Sequence, residues 1–169
     1  GEICERRLGQ PARAVECYGE GLKRDPGHAG IVRAITRVLR GAKDSGTLAD
    51  VLQKASSSTA DLRERVSYAI LLAGIREHGL EDLEGALKAY ESVLVLTPDH
   101  GVARSRRAGL LVQLGRFDDF VSSLDASLER LSVEQRSEAR VELAMTNLLH
   151  RNAPLKAAKI LEQVVSEAP

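Results

Sequence analysis

The chain repeats itself at an interval of about 72 residues, and this repetition limits the possible folds more than any other feature. Three segments align, each with a small residue, a large residue four positions later and a proline near its end. The segments run from Ala14 to Pro26, from Ala86 to Pro98 and from Ala157 to Pro169. Weaker copies at 51–58 and 120–127 divide the two intervals, which predicts an underlying unit of about 35 residues.

The apolar residues of each unit recur every three to four positions, the spacing of one face of an α-helix. Thr97-Pro98 is typical of a helix end, and Ser132 with Gln135 is typical of a capping box that opens a helix. No useful length of the chain alternates with period two, so we expect no β-sheet. We predict about five helix pairs. First helices are expected at 1–8, 28–43, 60–78, 100–114 and 133–150, and second helices at 11–24, 47–57, 82–96, 117–130 and 154–167.

This pattern resembles the tetratricopeptide repeat, in which a small residue, a large residue, a small residue and a proline follow at fixed spacing. Three sets carry the resemblance: Ala14, Tyr18, Gly21 and Pro26; Ala86, Tyr90, Val93 and Pro98; and, more loosely, Ala157, Leu161, Val164 and Pro169. The resemblance implies an all-α, right-handed α-solenoid of about five antiparallel helix pairs. The expected units are 1–26, 27–58, 59–98, 99–131 and 132–169. Because both ends look cut, we expect a fragment of a longer, bacterial array.

Composition argues against several classes of function. Lys+Arg and Asp+Glu both number 24, and this zero net charge argues against a generic nucleic-acid binder. No apolar stretch is long enough to insert into a membrane. The two cysteines cannot supply a thiolate metal site, and we expect Cys4 and Cys17 to be small buried residues. The four histidines fall in pairs 72 residues apart, which a repeat explains without a metal.

Motifs for catalysis are missing as well. The sequence has no nucleophile elbow, phosphate loop or dinucleotide fingerprint. We therefore expect neither enzymatic activity nor a cofactor.

The clearest candidate for partner binding is a basic strip on the predicted helix at 28–43, the first helix of the second unit. Residues 28–43 contain no acidic residue, and Arg33, Arg37 and Arg40 follow at i, i+4 and i+7 along one helix face. By the resemblance this face lines the concave groove, where it would receive acidic residues or a carboxylate of a partner. Arg6 and Arg7 are expected near the same edge. The alternative is an ordinary solvated helix face.

The predicted groove turns apolar in the middle of the chain. Its apolar candidates are Tyr68, Leu71, Leu72, Ile75, Val102 and Val112. The alternative for at least half of them is inter-helix core. Some family members clamp a peptide C-terminus with Lys, Asn and Arg side chains. Only Arg106 keeps the charge among the later clamp positions, so we do not assign that activity here.

Arg104 and Arg107 stand where the family has large apolar residues, and Glu77 is equally misplaced in the preceding first helix. Because an unpaired buried charge is costly, we expect pairing or outward-pointing side chains. Glu77 is the expected partner of Arg107.

The residues most expected to bind a partner are Arg33, Arg37, Arg40, Tyr68, Leu71, Ile75 and Arg106. We predict a scaffold without catalytic activity that binds a protein or peptide, with acidic residues in the partner, on its concave face. The alternatives are a structural spacer of a longer array, which could self-associate through its ends, and a regulatory region of a larger enzyme or signalling protein. We favour a cytoplasmic over a periplasmic location.

Overall fold

The structure, a computed structural model, describes residues 1–7 and 10–166, except for the side chains of Arg6, Arg7, Arg130 and Val133. Pro169, the last of the three repeat prolines, and the Arg6 and Arg7 side chains of the predicted basic edge therefore lie outside the described residues. The chain divides into two compact units, Gly1–Arg107 and Ala108–Pro169. The finer division into five repeats stays a prediction.

Helices alone make up the regular structure of the described residues, and the expectation of no β-sheet is confirmed for them. The α-helices are α1 (Pro11–Arg24), α2 (Ala29–Ala42), α3 (Ser45–Ser58), α4 (Leu62–Gly79), α5 (Leu83–Leu96), α6 (Gly101–Gln113), α7 (Phe117–Asp125), α8 (Val133–Leu149) and α9 (Pro154–Ser166). A π-helical turn at Ile3–Arg7 precedes α1, and a 3₁₀ turn at Leu128–Arg130 follows α7. No helix of the described residues is long and apolar enough to span a bilayer.

The helix starts explain one of the two histidine pairs. The Nδ1 atom of His28 accepts a hydrogen bond from the backbone N–H of Ile31 at 3.4 Å, and Nδ1 of His100 accepts one from Ala103 at 3.3 Å. Both histidines thus cap helices at equivalent points of the repeat. The capping box predicted at Ser132 is confirmed, because Ser132 and Gln135 exchange hydrogen bonds at 3.3 Å in both directions.

The alanines of the repeat lie in the buried faces of their helices. Ala14 and Ala86 are fully buried, and the large residues four positions later, Tyr18 and Tyr90, are almost fully buried. In the second unit, Ala157 on α9 is buried in the same way. A residue without a bulky side chain at these points allows neighbouring helices to approach.

Three expectations need correction. The helix expected at 117–130 ends at Asp125, and the hydroxyls of Ser122, Ser123 and Ser127 donate to carbonyls of their own segment, which competes with a regular helix. The helix expected at 1–8 contains a π-helical turn. The prediction of two buried cysteines is wrong. Cys4 is half-buried, and Cys17 is exposed because Ala14 and Tyr18, not Cys17, define the buried face of α1.

Enlarging a buried small residue tests this packing. We expect Ala14→Leu to lower the free energy of unfolding by about 1–3 kcal/mol, because the added methyl groups force the helices apart. Ala12→Leu, on the exposed face of the same helix, is the control and should change it by less than about 0.5 kcal/mol. Urea unfolding followed by circular dichroism measures both, and equal effects would contradict the packing.

Candidate functional site

A cavity of about 340 Å³ lies between α2 and α4 in the first unit. Its lining residues are Val32, Arg33, Thr36, Arg37, Arg40, Tyr68 and Leu71. Five of the seven residues singled out from the sequence therefore surround one space. Ile75 lies one turn beyond Leu71 on α4 and Arg106 lies on α6, and neither lines this cavity.

The position of the basic strip follows from the amphipathic pattern of α2. Its core face consists of Val32, Ile35, Val38 and Leu39, all buried. The three arginines of the strip are rotated away from that face, so their guanidinium groups reach the cavity while the helix remains anchored. The basic strip is therefore compatible with a stable helix.

Arg37 is already engaged by a carboxylate of the same chain. Its Nε and Nη2 atoms donate to the two carboxylate oxygens of Glu5, both at 2.8 Å. The Tyr18 hydroxyl donates to the same carboxylate at 2.9 Å. Hydrogen bonding to Glu5 is also the main reason that the pKa of Arg37 is raised above its ordinary value. Such a bidentate pair is among the strongest charged contacts in proteins.

A similar arrangement recurs later in the chain, with the glutamate and the tyrosine displaced by 72 residues and the arginine by 69. The Tyr90 hydroxyl donates to Glu77 at 3.1 Å, and Arg106 Nη1 lies 3.4 Å from the other carboxylate oxygen of Glu77. Only 9% of the Glu77 side chain is exposed, so both partners help to offset the cost of burying its charge. We call each set a Glu–Tyr–Arg bridge. In both bridges the glutamate precedes the tyrosine by 13 residues.

The other two arginines of the cavity have weaker contacts with acidic residues, or none among the described residues. Arg33 is 72% exposed and lies 3.9 Å from Glu64, a weak surface contact. Arg40 is exposed and has no acidic partner among the residues that the structure describes. The Thr36 hydroxyl oxygen is buried and likewise has no hydrogen-bond partner in the described part of the chain. The cavity therefore offers one cation and one buried hydroxyl that the chain does not satisfy.

Tyr68 forms part of the cavity wall. Only 5% of the residue is exposed, and burial, with a smaller effect of nearby Glu64, raises the pKa of its hydroxyl. Leu71 adds a half-buried apolar surface beside Tyr68.

Other apolar candidates differ in burial. Leu72 is 2% exposed and belongs to the core, as the alternative interpretation held. Ile75 is half-buried, whereas Val102 is 57% exposed on α6. Val112 belongs to the second unit.

The predicted pairing of Arg107 with Glu77 is wrong. Arg107 Nε lies 3.2 Å from Glu91 on α5, and Glu77 pairs with Arg106 instead. Arg104 points outward and lies 3.9 Å from Asp99. The sequence reasoning also missed Glu5. The signal was present, because Glu5 and Glu77 are separated by 72 residues, as are Tyr18 and Tyr90.

The cavity lining combines three arginines with a threonine, a tyrosine and two aliphatic residues. No group of three His, Cys, Asp or Glu side chains within the described residues could hold a metal ion.

The second Glu–Tyr–Arg bridge has a consequence at alkaline pH. Burial, with hydrogen bonding to Glu77, raises the pKa of Tyr90 from 10.0 to about 12. The stability that this hydroxyl contributes is therefore complete below pH 10 and is lost as the pH rises through about 12. We expect Tyr90→Phe to cost about 1–3 kcal/mol at neutral pH and to show a smaller alkaline loss than the wild type.

Urea unfolding at several pH values measures this effect. A double-mutant cycle with Glu77→Gln should show coupling to Tyr90, whereas Glu91→Gln, the control, should show almost none. Equal alkaline losses in the wild type and Tyr90→Phe would contradict the assigned hydrogen bond.

No protein-family model matches the chain, and no curated protein matches it. Solved structures do match: MamA aligns over 96% of this chain and 91% of its own, with a TM-score of 0.55 and 13% identity. YrrB, described as a TPR protein with an unusual peptide-binding site, aligns over 96% of this chain and 80% of its own, with a TM-score of 0.55 and 18% identity. Identities this low concern the fold alone. The chain thus has the all-α fold of tetratricopeptide-repeat proteins.

Proposed function

We propose that this chain is a protein-interaction scaffold without catalytic activity, and that it binds an extended peptide segment at the cavity between α2 and α4. The observation that carries the proposal is the buried Thr36 hydroxyl beside the exposed Arg40 guanidinium, neither of which has a partner among the described residues. A buried polar group without a partner is costly, and a ligand that supplies the partner recovers that cost.

The chemistry of the lining indicates what the peptide carries. A carboxylate would accept hydrogen bonds from Arg40 and the exposed Arg33, and a backbone carbonyl would accept one from Thr36. Val32, Tyr68 and Leu71 provide an apolar wall beside these groups. We therefore expect an acidic residue close to an apolar one in the partner.

Arg37 contributes in a different way. Because Glu5 holds two of its donors, Arg37 is oriented by the first Glu–Tyr–Arg bridge and is not available as a primary anchor. This division of roles separates residues that fix the helices from residues that contact the partner. The peptide-binding site ascribed to YrrB, which shares the fold, makes a peptide ligand reasonable but does not identify it.

A second candidate is a structural spacer. The two Glu–Tyr–Arg bridges support it, because they hold neighbouring helices at repeated intervals and need no external partner. The buried Thr36 hydroxyl favours the binding scaffold, since a spacer gains nothing from leaving it without a partner among the described residues.

Charge reversal at Arg40 tests the site. We expect the wild type to bind fluorescent peptides in which Asp or Glu neighbours Leu or Phe, and to reject the same peptides with Lys in place of the acid. Arg40→Glu should weaken binding by about tenfold or more. Lys88→Glu, an exposed reversal on α5 away from the cavity, is the control and should leave affinity unchanged. Fluorescence anisotropy measures all three.

Thr36→Val is an independent probe of the same cavity. It should weaken peptide binding about threefold to tenfold, because one hydrogen bond is lost, while the free protein keeps or gains stability. If neither Arg40→Glu nor Thr36→Val alters the binding of such peptides, the cavity is not the binding site.

A further inference from the structure

A second cavity, of about 300 Å³, lies among α3, α4 and α5 and shares no residue with the first. Its polar lining consists of Gln53, Ser56, Ser57, Arg65 and Ser92. Ala69, Val95 and Leu96 complete it. The lining contains one cation and no carboxylate, although arginine keeps its charge at every physiological pH.

Arg65 is the unusual group in this cavity. Its Nε atom is buried and has no hydrogen-bond partner among the described residues. The ion pairs of the described residues include none to its guanidinium either. A partly buried guanidinium without an anion costs free energy, and the cavity beside it is where a compensating group can lie.

The neighbouring polar groups can assist an anion. The Oε1 atom of Gln53 accepts a hydrogen bond from Arg76 at 3.2 Å, which orients the amide and leaves its nitrogen without a partner in the described part of the chain. Ser57 donates to the Gln53 carbonyl at 2.8 Å, and Ser92 to the Ala89 carbonyl at 2.7 Å. These hydroxyls can rotate to donate to a ligand instead.

We propose that this cavity binds a small oxyanion, a phosphate or carboxylate group, between the Arg65 guanidinium and the Gln53 amide. The volume stands at the lower end of ligand pockets and suits such a group with a few waters, at about 30 Å³ per water. This site is lined by different residues from the peptide site, although α4 contributes to both.

Inorganic phosphate and acetate are the probes, added to the purified chain at constant ionic strength. We expect phosphate to raise the melting temperature and to shift the Nε–H resonance of Arg65 in a saturable way. Both effects should be lost in Arg65→Gln. Arg63→Gln, an exposed change two residues earlier on α4, is the control and should respond like the wild type.

A second variant keeps the proposal testable if Arg65→Gln does not fold. Ser92→Asp places a carboxylate in the cavity, so it should raise the melting temperature without phosphate and weaken phosphate binding by about tenfold. A phosphoserine tripeptide tests whether the natural anion is carried on a peptide: it should then bind more tightly than free phosphate. Saturable binding of either ligand at Arg65 supports the site. The absence of a saturable shift with every probe, or an equal phosphate effect in Arg65→Gln, would overturn it.

Discussion

The close approach of neighbouring helices, made possible by small buried residues at repeat intervals, is the constraint on which the rest of the structure depends. Ala14 and Ala86 have no exposed surface, and Ala157 has almost none. Each permits a helix to pack tightly against its neighbour within the same unit. The tyrosines that follow Ala14 and Ala86 thereby lie in the core, and their hydroxyls donate to partly buried glutamates. Helix packing thus sets the position of the charges.

The Glu–Tyr–Arg bridges show how the chain accommodates two partly buried glutamates. Glu5 and Glu77 each receive a tyrosine hydroxyl and an arginine, which offsets their desolvation. The bridges also distinguish arginines that pair within the described part of the chain from an arginine that does not. Arg37 and Arg106 are held by glutamates of the same chain, whereas Arg40 lines the cavity between α2 and α4 and has no acidic partner among the described residues.

The repeat allowed most of the helix positions and the small buried residues to be predicted, because periodicity and proline positions act locally. It also placed Arg33, Arg37 and Arg40 with Tyr68 and Leu71, which line one cavity. The partners of the charges could not be predicted in the same way. Arg107 and Glu77 are both misplaced in the repeat pattern, but in the structure Glu77 pairs with Arg106 and Arg107 pairs with Glu91. The predicted burial of Cys17 was wrong for a similar reason, since neighbouring positions such as Cys17 and Tyr18 lie on different sides of a helix.

Hydrogen exchange with and without a saturating acidic–apolar peptide tests the central claim most directly, because it locates the binding surface without any substitution. We expect added protection in α2 from Val32 to Arg40 and in α4 around Tyr68 and Leu71, with α3 unchanged. Protection confined to α3 and α5, or to the second unit, would contradict the assignment of the cavity between α2 and α4 as the peptide site.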